Sequence, residues 1–67
     1  MKKIILNLEK QLKNLKELIQ NREDIFDERS EKWQESEKGE FFQDQTLEME
    51  SQSDILEGVI DDLKQLQ

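Results

Sequence analysis

An all-α, antiparallel two-helix hairpin of the coiled-coil kind is the architecture this 67-residue sequence predicts, on three observations. Apolar residues recur at three- and four-residue steps along most of the chain, the spacing of a helical stripe rather than of a strand. Proline is absent and there are two glycines, so little interrupts a helix. The stripe also changes phase near Gly39. A frame through Ile5, Leu8, Leu12, Leu15, Ile19, Phe26 and Trp33 gives way to one through Phe42, Met49, Leu56, Val59, Leu63 and Leu66. Continuing the first frame would place Glu40, Gln43, Glu50, Asp54, Glu57 and Asp61 on the seam. Two helices folded back on each other avoid burying those groups.

The first helix is predicted over about residues 3–37, roughly 35 residues and about 50 Å at the α-helical rise. Ile5, Leu12, Ile19, Phe26 and Trp33 occupy heptad position a, and Leu8, Leu15, Arg22 and Arg29 position d. Ile4, Leu18 and Ile25 fall at g and widen the stripe toward a bundle face. Glu9 with Lys13 and Glu28 with Lys32 each add a few tenths of a kcal/mol. Arg22 and Arg29 interrupt the seam, and the expectation is that they lay their stems along it and pair with Glu48 or Glu50 of the second helix. An anion site built on these two arginines is the weaker reading.

Ser36-Glu37-Lys38-Gly39 reads as a helix end, with the glycine supplying a left-handed stop, and puts the turn at about 38–39. The second helix then covers about 40–66, and residues 1–67 form one hairpin. Phe42, Met49, Leu56 and Leu63 make one seam column, and Gln45, Gln52, Val59 and Leu66 the other. A turn at 38–39 brings Arg29 opposite Glu48, Phe26 opposite Gln52, and Ile19 opposite Gly58, whose missing side chain would let the backbones approach. Lys10, Lys13 and Lys16 would run beside Asp61, Asp62 and Lys64, a basic stretch against a mainly acidic one. Ile4, Ile5 and Leu6 would extend past the shorter second helix as an apolar end, the kind of surface that marks an interface. The sequence therefore predicts a homodimer, a four-helix bundle, with Ile4, Ile5, Leu8, Leu12, Leu15, Ile19, Leu63 and Leu66 as interface residues.

Composition narrows function by exclusion. The chain lacks cysteine and histidine, which removes disulfides and nearly every zinc site. It also lacks tyrosine and glycine-rich phosphate motifs, so triad and nucleotide-cradling chemistry have no residues to work with. No catalytic, cofactor-binding or metal site is predicted. The net charge is −7, and residues 1–38 are balanced. The excess lies in 39–67, where Lys64 stands against Glu40, Asp44, Glu48, Glu50, Asp54, Glu57, Asp61 and Asp62. That distribution disfavours direct nucleic-acid binding and suits a basic protein surface. The apolar run Ile4–Leu6 is shorter than a signal core, and no segment approaches a membrane span, so a cytoplasmic location is expected. Trp33 is expected first to pack against Phe41 or Phe42 and is otherwise a partner-binding candidate, together with Phe41, Glu48 and Glu50.

Two resemblances bear on function. Glu28 with Glu31 and Asp54 with Glu57 are similar to the paired carboxylates with which all-α nucleotide pyrophosphatases of the MazG type hold magnesium; that resemblance implies metal-dependent nucleotide hydrolysis and rests on four residues. The run from Glu28 to Glu40, followed by Thr46-Leu47-Glu48, resembles the turn region of small uncharacterised helical-hairpin proteins of bacteria, phages and mobile elements. It implies a shape and a source, and no activity. The resulting expectation is a non-enzymatic interaction or structural accessory module. An acidic, phosphate-imitating inhibitor of a nucleic-acid enzyme is the alternative, and the pyrophosphatase ranks third.

Overall fold

A computed structural model describes all residues from Met1 to Gln67. Three helices follow one another: α1 (Lys2–Glu28), a single turn α2 (Glu31–Gln34) and α3 (Glu37–Leu66). α1 packs along α3 as a hairpin measuring 50 × 15 × 11 Å, with α2 folded over the closed end. No helix is long and apolar enough to cross a membrane.

The chain reverses earlier than the sequence suggested. α1 ends at Glu28, and the reversal occupies residues 29–36 rather than 38–39. Two serine caps define it. Arg29 and Ser30 are extended, and the Ser30 hydroxyl accepts from the Trp33 N–H at 3.2 Å to open α2. Ser36 is extended in turn, and its hydroxyl accepts from the Gly39 N–H at 3.2 Å to open α3. Such caps satisfy amide groups that the first turn of a helix leaves unpaired. Charge favours the same break. Asp27 and Glu28 sit at the negative end of α1, whose last turn holds no basic residue, whereas α3 carries Glu37 and Glu40 in its first turn and Lys64 in its last. The loose end of α1 is closed from outside it: the Gln34 side-chain amide donates to the carbonyls of Phe26 (2.8 Å) and Arg29 (3.1 Å).

Gly39 is thus not a left-handed stop. It is buried in the first turn of α3, with ordinary negative φ, and its missing side chain has a different use. A Cβ at this position would lie 2.1 Å from the Trp33 carbonyl oxygen and 2.7 Å from that of Gln34. Only glycine lets α3 begin directly beneath the backbone of α2. Gly58, which the sequence assigned to helix contact, is exposed, and a Cβ there would meet nothing within 4 Å.

The earlier reversal shifts the register of the whole hairpin. Lys16 pairs with Glu57, Glu9 lies 3.6 Å from Lys64, and Ile19 lies beside Ser53. Lys16 thus takes Glu57 as its ion-pair partner, while Lys13 and Lys16 line one groove with Asp61 and Lys64. The two long helices are nearly equal, 27 and 30 residues, so α3 reaches the start of α1 and covers Ile5, only 4% exposed, while Ile4 and Leu6 stay exposed as expected. α1 keeps its predicted frame, with Ile5 and Ile19 buried and Leu8, Leu12, Leu15, Arg22 and Phe26 partly so. In α3 the column Phe42, Met49, Leu56, Leu63 is as expected, but its companion is Thr46, Ser53 and Ile60. Gln45, Gln52, Val59 and Leu66 lie one residue away, outside the seam and exposed.

The two glycines should respond in opposite directions. Gly58→Ala removes a flexible residue from an open helical site and should raise unfolding stability by about 0.5–1 kcal/mol. Gly39→Ala drives a methyl group into backbone and should lower it by about 1–3 kcal/mol. Urea denaturation followed by circular dichroism separates the two, and equal effects would contradict the packing of the closed end.

Candidate functional site

The most organised side-chain cluster lies at the closed end, and Arg22 is its centre. The guanidinium projects from the last third of α1 across the seam, donating from Nε to the Thr46 hydroxyl at 3.0 Å and from Nη2 to the Phe42 carbonyl at 3.1 Å and Gln45 Oε1 at 3.3 Å. Thr46 in turn donates to the same Phe42 carbonyl at 3.0 Å. The guanidinium also stands over the Phe42 ring, 4.0 Å from its centroid. Its charge is met by a π-face and neutral acceptors, not by the carboxylate of Glu48 or Glu50 that the sequence suggested. Arg29 lies outside α1 and stacks on Trp33 at 4.8 Å. It therefore occupies no seam position. The two arginines serve different rings, and no shared anion site forms between them.

Trp33 is held edge-on between Phe26 (centroids 6.0 Å apart) and Phe42 (5.8 Å). Such edge-to-face pairs contribute about 0.5–1.5 kcal/mol beyond area burial. Trp33 thus closes the hairpin against Phe42. Phe41 points away and is 65% exposed. No buried side-chain nitrogen or oxygen lacks a hydrogen-bond partner.

Along one flank of the seam, charged residues face each other: Glu9 with Lys64, Lys16 with Glu57, and Glu23 with Glu50. The third pair joins like charges. The Glu23 carboxyl is held above its ordinary value of 4.5, first by its hydrogen bond with Glu50, then by desolvation and by repulsion from Glu50 and Asp24. Glu48, the other acidic partner candidate, is exposed and accepts from Gln52 at 3.2 Å.

Of the proposed interface residues, Ile5 and Ile19 are buried within the hairpin, while Leu8, Leu12, Leu15 and Leu63 line its seam partly covered. Ile4 and Leu66 remain exposed, at 58% and 72%. The four carboxylates of the pyrophosphatase resemblance do not converge. Glu28 and Glu31 belong to different helices, Glu57 is engaged by Lys16, and no three acidic side chains gather to hold a metal. The column Thr46, Ser53, Ile60 escaped the sequence reading, as did the caps. The repeated Ser-Glu-Lys at 30–32 and 36–38 was the available signal for the caps.

No family model matches the chain, and no curated protein or solved structure matches it.

The like-charge pair has a defined pH signature. An acid whose folded-state pKa is raised destabilises the fold once ionised: the penalty is absent below about 4.5, develops up to the raised value and is complete above it. Glu50→Gln keeps a hydrogen-bonding partner for Glu23 and removes the repulsion. It should raise the thermal midpoint at pH 7 and leave it unchanged near pH 3.5, as measured by melting at both values.

Proposed function

We propose that this hairpin is a non-enzymatic interaction or structural accessory module of the bacterial or phage cytoplasm, acting through association and first of all with a second copy of itself. One observation carries the reading. The apolar residues buried within the chain are Ile5, Ile19 and Ile60, while Ile4, Leu6, Leu18, Ile25, Ile55, Val59 and Leu66 stand exposed. A chain this short has little core to spare, and oligomerisation is the common remedy where disulfides and metals are missing. The closed end, by contrast, is satisfied within itself, which leaves Trp33 a packing role and makes Phe41 its more accessible neighbour.

A second reading rests on the charge of α3. Two ion pairs cross the hairpin, and they engage Glu57 and Glu9. The remaining acids of α3, including Glu40, Asp44, Glu48, Asp54, Asp61 and Asp62, have no cation within 4 Å and are exposed. That face suits a basic protein groove, such as one that otherwise holds a phosphate backbone. Binding of this kind weakens steeply with salt, whereas apolar self-association does not.

Sedimentation equilibrium from 1 to 100 μM (on the order of the range in which weak protein association is measured) should show a dimer whose mass is unchanged between low and high salt. The thermal midpoint should rise with protein concentration. A helical monomer throughout would overturn the self-association reading and leave the acidic face as the better one.

A further inference from the structure

The seam that holds α1 to α3 is not the only heptad stripe on α1. About a third of a turn away runs a second one, Ile4, Asn7, Gln11, Asn14, Leu18, Asn21 and Ile25, with the same alternating three- and four-residue steps. All of these side chains are exposed, and none carries a charge, on a chain in which charged residues make up 40%. The charged residues of α1 lie on its other faces. The side-chain hydrogen bonds of α1 within the hairpin involve Lys16, Gln20, Arg22, Glu23 and Asp24; Asn7, Gln11, Asn14 and Asn21 make none. The stripe lies on the flank opposite the Glu9, Lys16 and Glu23 pairs. The neighbouring edge of α3 continues it with Gln52, Ile55, Val59 and Leu66, all exposed, among which Glu48 and Asp62 alone bring charge.

The order of residues along the stripe is close to a palindrome. Read in either direction it begins and ends on isoleucine, has asparagine one step in from each end, and has Asn14 at its midpoint. The exception is the exchange of Gln11 for Leu18. We propose that this stripe is a homodimerisation seam, on which α1 of a second copy lies antiparallel about a two-fold axis at Asn14. Ile4 then meets Ile25 of the partner subunit at both ends, Asn7 meets Asn21 of the partner subunit, and Asn14 meets Asn14 of the partner subunit. An isologous interface requires such self-complementarity. Side-chain amides supply it, because each is both donor and acceptor and can pair with its own kind. Slipping by a heptad would still set asparagine against asparagine near the centre, but it would separate Ile4 from Ile25 of the partner subunit and leave Asn7 or Asn21 with no asparagine opposite.

Surface area argues for a second copy as the occupant. The chain exposes 5422 Å² for a mass of 8.1 kDa. A compact monomer of that mass exposes about 4,500 Å². The surplus of about 900 Å² is close to what one partner buries in a standard-size interface, about 800 Å². A four-helix bundle built from two hairpins on this flank covers it.

This inference rests on the self-association proposed above and adds its face and polarity, so the two can fail separately. The chain has no cysteine, which makes engineered pairs unambiguous. Under mild oxidation at the concentrations where the dimer sediments, Asn14→Cys should give a disulfide-linked dimer, Ile4→Cys alone should not, and Ile4→Cys combined with Ile25→Cys should. Leu18→Lys alters a side chain that is exposed in the hairpin. It should leave helicity intact and weaken dimerisation at least about tenfold, or 1.4 kcal/mol. A monomer at all concentrations overturns both proposals. A dimer in which Ile4→Cys cross-links alone is parallel, and one in which Asn14→Cys stays reduced or Leu18→Lys has no effect uses another face; either result overturns this proposal and keeps self-association.

Discussion

The register of the hairpin is set at its closed end, by the contact between the backbone of α2 and Gly39. Because the Trp33 and Gln34 carbonyls sit where a side chain would be, α3 starts directly under α2, and its first turn is fixed in height relative to the end of α1. Arg22 then ties the two long helices at one level through Thr46 and the Phe42 carbonyl. From that level outward the pairing has no freedom. Ile19 reaches Ser53, Lys16 reaches Glu57, Glu9 reaches Lys64, and Ile5 is covered.

Much of this was legible in the sequence. The α1 frame is unambiguous because large aliphatic residues mark both of its columns as far as Ile19. The second helix was half legible. Around the column Phe42, Met49, Leu56, Leu63, the companion can lie three or four residues on, and both choices satisfy the heptad. Val59 and Leu66 are more apolar than Thr46 and Ser53, so hydrophobicity alone selects the wrong column. The structure selects small residues, because the opposing positions are already filled by Arg22 and Ile19. The turn was misplaced for a similar reason. A change of heptad phase shows that a break exists but not where within a stretch of neutral helix formers it falls, and the caps at Ser30 and Ser36 settle that. The inferred inequality of the helices was a consequence of that misplacement, and of the apolar end drawn from it Ile5 is covered while Ile4 and Leu6 are exposed. The closed-end cluster was partly legible: the sequence named Phe41 or Phe42 as the packing neighbour of Trp33, of which Phe42 takes the place, but not the neutral acceptors that take Arg22 in place of a carboxylate.

The hairpin is economical to the point of imbalance. Its seam contains a guanidinium and two hydroxyl residues, one flank holds a repelling carboxyl pair, and the charges at the ends of α1 oppose its dipole. Each term is small. Together they leave local packing at the closed end and the aliphatic seam from Ile5 to Ile19 as the main sources of cohesion.

Against that economy, the amides on the exposed side of α1 need an explanation. Asparagine is a poorer helix former than the lysine and glutamate that cover the other faces of this helix, by a few tenths of a kcal/mol at each site. Asn7, Asn14 and Asn21 recur at heptad spacing without any hydrogen bond inside the hairpin that would offset the loss. A surface under selection only for solubility would carry charge there, as it does elsewhere on α1. Neutral amides alternating with isoleucine and leucine are what a surface carries when charge would be desolvated, yet some polarity is needed to hold a single register. The same residues that weaken α1 as an isolated helix are therefore accounted for if that flank is covered when the protein works.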